Sequence, residues 1–357
     1  MSGGSARRTI WAGDGGVAII DQTRLPHDFA MRHLSTVDDV AEAIAVMRVR
    51  GAPLIGATAA YGMAIAASAD PSDAALEIAC AQLFATRPTA VNLGWALQRM
   101  MGVLADLPPP RRGETAWAEA EAIAAEDVAL NGAIGEHGLA LIEASHAERP
   151  GRPVNVLTHC NAGWLATVGW GTATAPIYKA HAAGVPVHVW VDETRPRNQG
   201  ASLTAWELAE AGVPHTLIAD NAGGHLMRRG AVDLCLVGTD RTAANGDVCN
   251  KIGTYLKALA ARDNGVPFYV ALPSPTLDLS LASGDEVPIE ERAAQEVTDV
   301  TGRTSDGRIE TVRLVGAGTA AANPAFDVTP AHLVTALVTE RGIVAPDALV
   351  RTFGGTR

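Results

Sequence analysis

The sequence predicts an α/β chain: a doubly wound parallel sheet preceded by a smaller, mostly helical domain with a short β lead. Three observations predict it. Beyond residue 150, short apolar runs alternate with helical segments, the pattern of parallel βαβ units. Those runs are rich in β-branched or aromatic residues and each hands over to a polar cluster. Before residue 150, apolar residues recur mainly at helical spacing.

Taken in order, the runs 9–12 and 17–20 read as a strand-like lead. Thr36 or Asp38 can cap a helix running through Met47, with Val40, Ile44 and Met47 on one face. Segments 74–83, 93–107 and 117–141 read as further amphipathic helices, and the proline-rich 107–113 as a loop between two of them. The Pro, Gly and Arg residues of 148–153 mark the boundary, dividing the chain into domains 1–148 and 149–357. Strands are then expected at 154–157, 187–191, 216–219, 234–237 and 268–271, with helices near 173–183, 202–211, 223–229 and 253–262. This alternation makes the second domain Rossmann-like.

At 357 residues, with 48% hydrophobic and 19% charged residues, the chain can bury a sizeable core. A formal charge of −11 argues against a general nucleic-acid binder, which would show a basic face. Residues 1–10 have no long apolar core behind their arginines, so no signal peptide is expected. The stretch 57–67 is too short and too rich in small residues to span a bilayer. Cys80, Cys160, Cys235 and Cys249 are widely spaced without a CxxC pair, as reduced thiols of a cytoplasmic protein would be.

In an open α/β sheet, chemistry collects beyond the carboxyl ends of the strands. Cys160, in Thr158-His159-Cys160-Asn161-Ala162-Gly163, follows one expected strand, and Asp240, in Gly238-Thr239-Asp240-Arg241, follows another. A thiol and a carboxylate would thus share one crevice. Locally, Cys160 could also be a small buried hydrophobe, and Asp240 a structural acid pairing Arg241 rather than a general acid raised by burial. Arg50-Gly51-Ala52-Pro53 opens an apolar, small-residue helix. Its exposed N–H groups and dipole would attract phosphate, with Arg50 closing the site; the plainer reading is a helix start with a surface arginine. Arg87 before a second helix, and Asn250-Lys251, offer further donors. The glycines of 238–253 match neither GxGxxG nor the Walker pattern, and the ten histidines lack ligand spacing, so no nucleotide cofactor or metal is assigned.

Taken together, these motifs resemble 5-methylthioribose-1-phosphate isomerase, a sugar-phosphate isomerase family of methionine salvage. The resemblance rests on Ile19-Ile-Asp-Gln-Thr23, Arg50-Gly-Ala-Pro-Leu-Ile-Gly56, Arg87-Pro-Thr-Ala-Val-Asn-Leu93 and the Cys160 motif. It continues through Glu193-Thr-Arg-Pro196, Gln199-Gly200, Asp220-Asn221 and the long run from Gly238 to Tyr255. Thr239, Thr242 and Cys249 stand where small or apolar residues are expected, without removing a reacting group. The resemblance implies Cys160 as catalytic thiol and Asp240 as proton donor. It implies Arg50, Gly51, Ala52, Arg87, Gln199, Asn250 and Lys251 as substrate and phosphate contacts, a homodimer, and no metal or organic cofactor.

Such an enzyme must open a ring whose anomeric hydroxyl is blocked by phosphate. A protonated Asp240 would protonate the ring oxygen as its bond to carbon 1 breaks. Cys160, as base or stabiliser, would assist loss of the carbon 2 proton to a phosphoenol; a direct hydride shift is the rival path. Either needs a dry site, with Trp164, Leu165 and Val168 as apolar wall. Two other readings share the fold: a ribose 1,5-bisphosphate isomerase, and a non-catalytic regulatory subunit of a translation-initiation exchange factor.

Overall fold

The structure is a computed structural model that describes residues 7–13 and 15–354. Of the segment expected to lack a signal peptide, residues 1–6 lie outside the described residues.

The lead forms a three-stranded antiparallel sheet, β1 (Ile10–Gly13), β2 (Gly16–Ile20) and β3 (Met31–Leu34). The sequence reading missed β3, whose residues are mostly solvent-facing and carry no apolar run. Helix α1 (Val37–Ala45) is capped by Thr36, not Asp38: Asp39 N donates to the Thr36 hydroxyl, and the Asp39 carboxylate accepts from Thr36 N. Helix α2 (Ala52–Ala69) is apolar all round, the signature of a buried helix. It is long and apolar enough to cross a membrane by composition, yet 83% of it is buried inside the protein. Around it pack α1, α3 (Asp73–Thr86), α4 (Val91–Ala105) and α5 (Pro109–Glu148).

The expected loop at 107–113 is a correction. Pro109 and Pro110 open α5 rather than precede it, because a first helical turn needs no N–H from proline and its φ is preset for a helix. The resulting helix spans 40 residues. Its first half, through Ala116, Ala120 and Ile123, joins the core around α2, and Ile134 and Ile142 join the core of the sheet.

The second half is built on β4 (Val154–Thr158), α6 (Thr174–Ala182), β5 (Val187–Asp192), α7 (Ala205–Glu210), β6 (His215–Ile218), α8 (Ala222–Arg228) and β7 (Leu234–Val237). After β8 (Arg241–Ala243) and β9 (Val248–Lys251) come α9 (Thr254–Asp263) and β10 (Phe268–Ala271). The five expected strands and four intervening helices all form, within two residues at most boundaries. The widest shift is at 202–211, where one π turn (Gly200–Thr204) precedes α7.

β8, β9 and the remainder went unseen in the sequence. The remainder comprises β11 (Leu277–Asp278), α10 (Gln295–Thr298), the hairpin β12 (Asp299–Arg303) with β13 (Ile309–Arg313), β14 (Phe326–Thr329), β15 (Ala336–Thr339), β16 (Gly342–Val344) and α11 (Leu349–Phe353). Seven strands form the main sheet in the order β16-β15-β10-β7-β4-β5-β6, parallel except for β16. A separate sheet runs β11-β8-β9-β14. From β4 the chain winds outward through β5 and β6, then returns to the other side through β7, β10 and β15. The switch point therefore lies between β4 and β7.

Candidate active site

Cys160 lies just past β4 and Asp240 just past β7, so each flanks the crevice that the switch of winding direction opens. Both line one small pocket together with Arg50, Gly51, Ala52 and Asn250. Arg50 and Asp240, 190 residues apart in sequence, thus meet in one pocket.

The backbone at Cys160 is in the left-handed region, φ 65°, where non-glycine residues are uncommon. Its N–H donates to Thr194 Oγ1 at 2.9 Å, and its carbonyl accepts from Thr204 Oγ1 at 2.6 Å. Thr194, at the end of the adjacent strand, is itself at φ 67°. The Asp220 carboxylate holds it there, accepting from the N–H groups of Thr194 and Arg195, each at 2.7 Å. Two unfavourable conformations braced against each other mark a place where geometry is being enforced. Cys160 is buried. Burial pushes its thiol above the ordinary value, with Asp240 adding to this and Arg50 and Lys251 opposing it.

Asp240 is only partly buried. Its N–H donates to the Cys249 carbonyl at 3.0 Å. The pairing with Arg241 that a structural acid would make is absent: Arg241 reaches Asp278 at 3.3 Å and the Thr89 carbonyl. Among the described residues the Asp240 carboxylate has no ion-pair partner, so it is free to face the pocket.

The opposite wall is the start of α2. Gly51 has φ 94°, and a Cβ there would sit 2.4 Å from the Ala166 carbonyl oxygen, so only glycine allows the chain to pass. Arg50 forks onto Asn161, with Nη1 on the side-chain oxygen at 2.7 Å and Nη2 on the backbone carbonyl at 3.0 Å. The Asn161 amide in turn donates to Glu207 at 2.9 Å. Glu207 is fully buried and also accepts from Trp164 N at 3.0 Å, Leu165 N at 2.9 Å and the Tyr178 hydroxyl at 2.9 Å. Burial pushes this carboxyl up, against the pull of those four donors.

Lys251 is buried beside the pocket, its ammonium donating to the Ala325 carbonyl at 2.9 Å and lying 4.3 Å from the Phe326 ring centre. Burial lowers its pKa, Cys160 and Asp240 oppose this, and Arg87 and Arg50 add to it. Lys251 thus feels the charges of both other expected cations, Arg50 and Arg87. Arg87 itself does not line the pocket; it pairs with Glu290 at 2.8 Å. Gln199 also stands apart, in an adjoining groove of about 630 Å³ that shares Arg50 with the pocket. Its Oε1 is buried without a partner.

Several residues that build the site carried weak sequence signals. His159 was visible only as a neighbour of Cys160. Its Nδ1 meets Asp192 at 2.9 Å and its Nε2 the Ile252 carbonyl at 2.8 Å, tying the end of β4 to the turn after Lys251. His159, Asp192 and Asp220 are close enough to suggest a cation site. That place already has a cation, since Lys257 pairs with Asp192 at 3.0 Å, and both Asp220 oxygens accept backbone N–H groups. Thr204 and Glu207 had no signal beyond their place on an expected helix. Thr276, from the polar cluster after β10, lines the pocket with a hydroxyl that has no protein partner.

Residues 48–346 match the initiation factor 2 subunit family. Methylthioribose-1-phosphate isomerase of Methylocella silvestris is 64% identical over 349 residues, covering 97% of this chain and 95% of that protein. The chain belongs to the methylthioribose-1-phosphate isomerases of that family. The crystal structure of 5-methylthioribose 1-phosphate isomerase from Pyrococcus horikoshii is similar over 98% of this chain and 96% of that one, with a TM-score of 0.84 and 40% identity. A structure named translation initiation factor eIF-2B, subunit delta, from A. fulgidus is similar over 96% of this chain and 97% of that one, with a TM-score of 0.79 and 39% identity. The α/β fold with its helical N-terminal part is thus that of the methylthioribose-1-phosphate isomerases and their initiation-factor relatives.

Proposed function

We propose that this chain is an aldose–ketose isomerase converting 5-methylthioribose 1-phosphate to 5-methylthioribulose 1-phosphate, in methionine salvage. The observation that carries this reading is the meeting of a buried thiol and an unpaired carboxylate across the switch point, in one pocket with Arg50 and the N-terminus of α2. The names of relatives 64% identical along nearly the whole chain support it.

In this reading, Asp240 gives its proton to the ring oxygen as the bond to carbon 1 breaks. Cys160 then acts on the hydrogen at carbon 2, as base or as stabiliser of the charge that develops, and a proton returned to carbon 1 completes the ketose. A positioned acid or base of this kind contributes about 10²–10⁴-fold. Hydrogen moves within one molecule and no electrons leave it, so the reaction calls for no redox cofactor. The N–H groups of Gly51 and Ala52, with Arg50, Arg87, Asn250 and Lys251, hold the phosphate, and Gln199 binds substrate from the groove side. 5-Deoxyribose 1-phosphate lacks only the methylthio group, a difference that an apolar pocket discriminates by only about 1–3 kcal/mol, so it is a second substrate. The working enzyme is a cytoplasmic homodimer, each subunit a helical domain 1–148 and a catalytic domain 149–357.

Proton NMR with 5-methylthioribose 1-phosphate in deuterated water, without added metal or nucleotide, tests this. Appearance of the ketose 1-phosphate is expected, and deuterium at carbon 1 assigns the phosphoenol path, whereas its absence favours hydride shift or a shielded proton. No product from folded protein would overturn the reading. Turnover of ribose 1,5-bisphosphate would then indicate the sibling isomerase. Inertness to both would favour a regulatory binder, the reading that the likeness to the eIF-2B delta subunit supports.

A further inference from the structure

We propose that Glu290 is a positioning residue for the phosphate site, aiming the Arg87 guanidinium at the substrate phosphate as part of an ion-pair ladder that the phosphate completes. This rests on Arg87 being a phosphate contact. The ladder runs from Arg87 Nη2 to Glu290 Oε2 at 2.8 Å, and from Glu290 Oε1 to Arg292 Nη1 at 2.7 Å. Arg292 Nη2 continues to Glu296 Oε1 at 2.7 Å, which also holds Arg197 Nη1 at 2.6 Å. Three guanidiniums thus alternate with two carboxylates, leaving one positive charge in excess.

The two ends of the ladder differ. The Arg197 side chain is 30% exposed and can be balanced by water, whereas that of Arg87 is 10% exposed. Buried charge needs a partner, so the missing anion belongs at the Arg87 end. Arg87 keeps a donor for it: its Nε is buried and has no partner. The Arg87 charge also acts on Lys251, which in turn feels both Cys160 and Asp240. The backbone reinforces the link. The Glu290 carbonyl accepts from Ala325 N at 2.9 Å, and the Ala325 carbonyl accepts from Lys251 Nζ at 2.9 Å, so the segments that hold the two cations are bonded to each other.

Glu290 does not compete with phosphate for Arg87, since its other oxygen is already neutralised by Arg292 and it presents little uncompensated charge. Burial pushes its carboxyl up, but Arg87 and Arg292 outweigh this and hold it below the ordinary value, so it stays charged at neutral pH. An arginine fixed in advance loses less freedom when the anion arrives.

Kinetics of Glu290→Gln against Arg87→Gln and the double variant test the proposal, with inorganic phosphate as competitive inhibitor. Glu290→Gln should raise KM and the phosphate inhibition constant together, each about tenfold, with kcat within about twofold. The double variant should be no worse than Arg87→Gln alone, because one residue acts through the other. Glu290→Asp, which keeps the charge and serves should the glutamine variant misfold, should shift KM the same way but less. A lowered KM in Glu290→Gln would show competition and overturn the proposal, as would an unchanged KM or additive losses. If Arg87→Gln itself leaves KM intact, the phosphate reading of Arg87 falls first, a result distinct from the others.

Discussion

The two walls of the pocket are built on different principles. On the sheet side, Cys160 and Asp240 sit within three residues of strand ends, and Cys160 is braced by Thr194, Thr204 and, through Thr194, Asp220. On the helical side, the proposed phosphate contacts are cations on long side chains, Arg50 in the wall itself, forked onto Asn161, and Arg87 outside the pocket lining, paired with Glu290. A short thiol or carboxylate moves only with its backbone, so the backbone is immobilised, even in a left-handed conformation. An arginine can follow a phosphate by rotating its own bonds, so it needs only a partner that limits the search. The sheet wall should therefore govern kcat and the helical wall KM.

Breaking the sheet wall should have the largest effect. Cys160→Ser and Asp240→Asn should each lower kcat by about 10²–10⁴-fold with KM little changed. Steady-state kinetics beside matched circular dichroism decides this, and near-normal turnover in either variant would remove that residue from the chemistry. On the helical wall, Arg50→Lys keeps the charge but loses the planar fork that grips both Asn161 oxygens. KM should rise about tenfold while kcat stays within a few-fold; a kcat effect as large as that of Cys160→Ser would collapse the distinction between the walls.

The smallest effect lies in the stitch between them. Asp127, from α5, accepts from Val168 N at 2.7 Å and so fixes the turn beneath the pocket. Burial pushes its carboxyl from 3.8 up to about 7, against the hydrogen bonds it accepts. The folded protein therefore holds a proton between about pH 4 and 7 that the unfolded chain releases, and stability falls as pH rises through that window. Melting temperatures at pH 5 and pH 8 should show this slope, and Asp127→Asn should flatten it by several degrees without changing kcat. An unchanged slope would mean that other groups set the pH response.

What was legible in the sequence follows from where each element is buried. The strands β4, β5, β7 and β10 lie inside a parallel sheet covered on both faces, so each appears as a short apolar run, interrupted only by Asn155 in β4 and His188 in β5. The order in which polar clusters follow those runs then places Cys160 and Asp240 on one edge, and Arg50-Gly51-Ala52 at a helix start. Beyond Ala271 the small sheet pairs segments distant in sequence, such as β9 with β14, and the hairpin β12–β13 is largely exposed, so neither leaves a periodic apolar signal. Pro109 and Pro110 misled for a local reason: proline looks the same in a loop and in a first helical turn.

By itself, then, the sequence determined the parallel-sheet class, the strand ends that border the candidate site and the residue types found there, because burial and backbone conformation are written in local pattern. Only the tertiary structure decided that Asp240 is left unpaired while Arg241 turns to Asp278, that Glu207 gathers four donors behind Arg50, and that Arg87 meets Glu290 across 203 residues. The physical reason is the range of the forces. Hydrophobic periodicity acts between neighbours in the chain, whereas ion pairs and buried hydrogen bonds are chosen by which surfaces the packed core brings together.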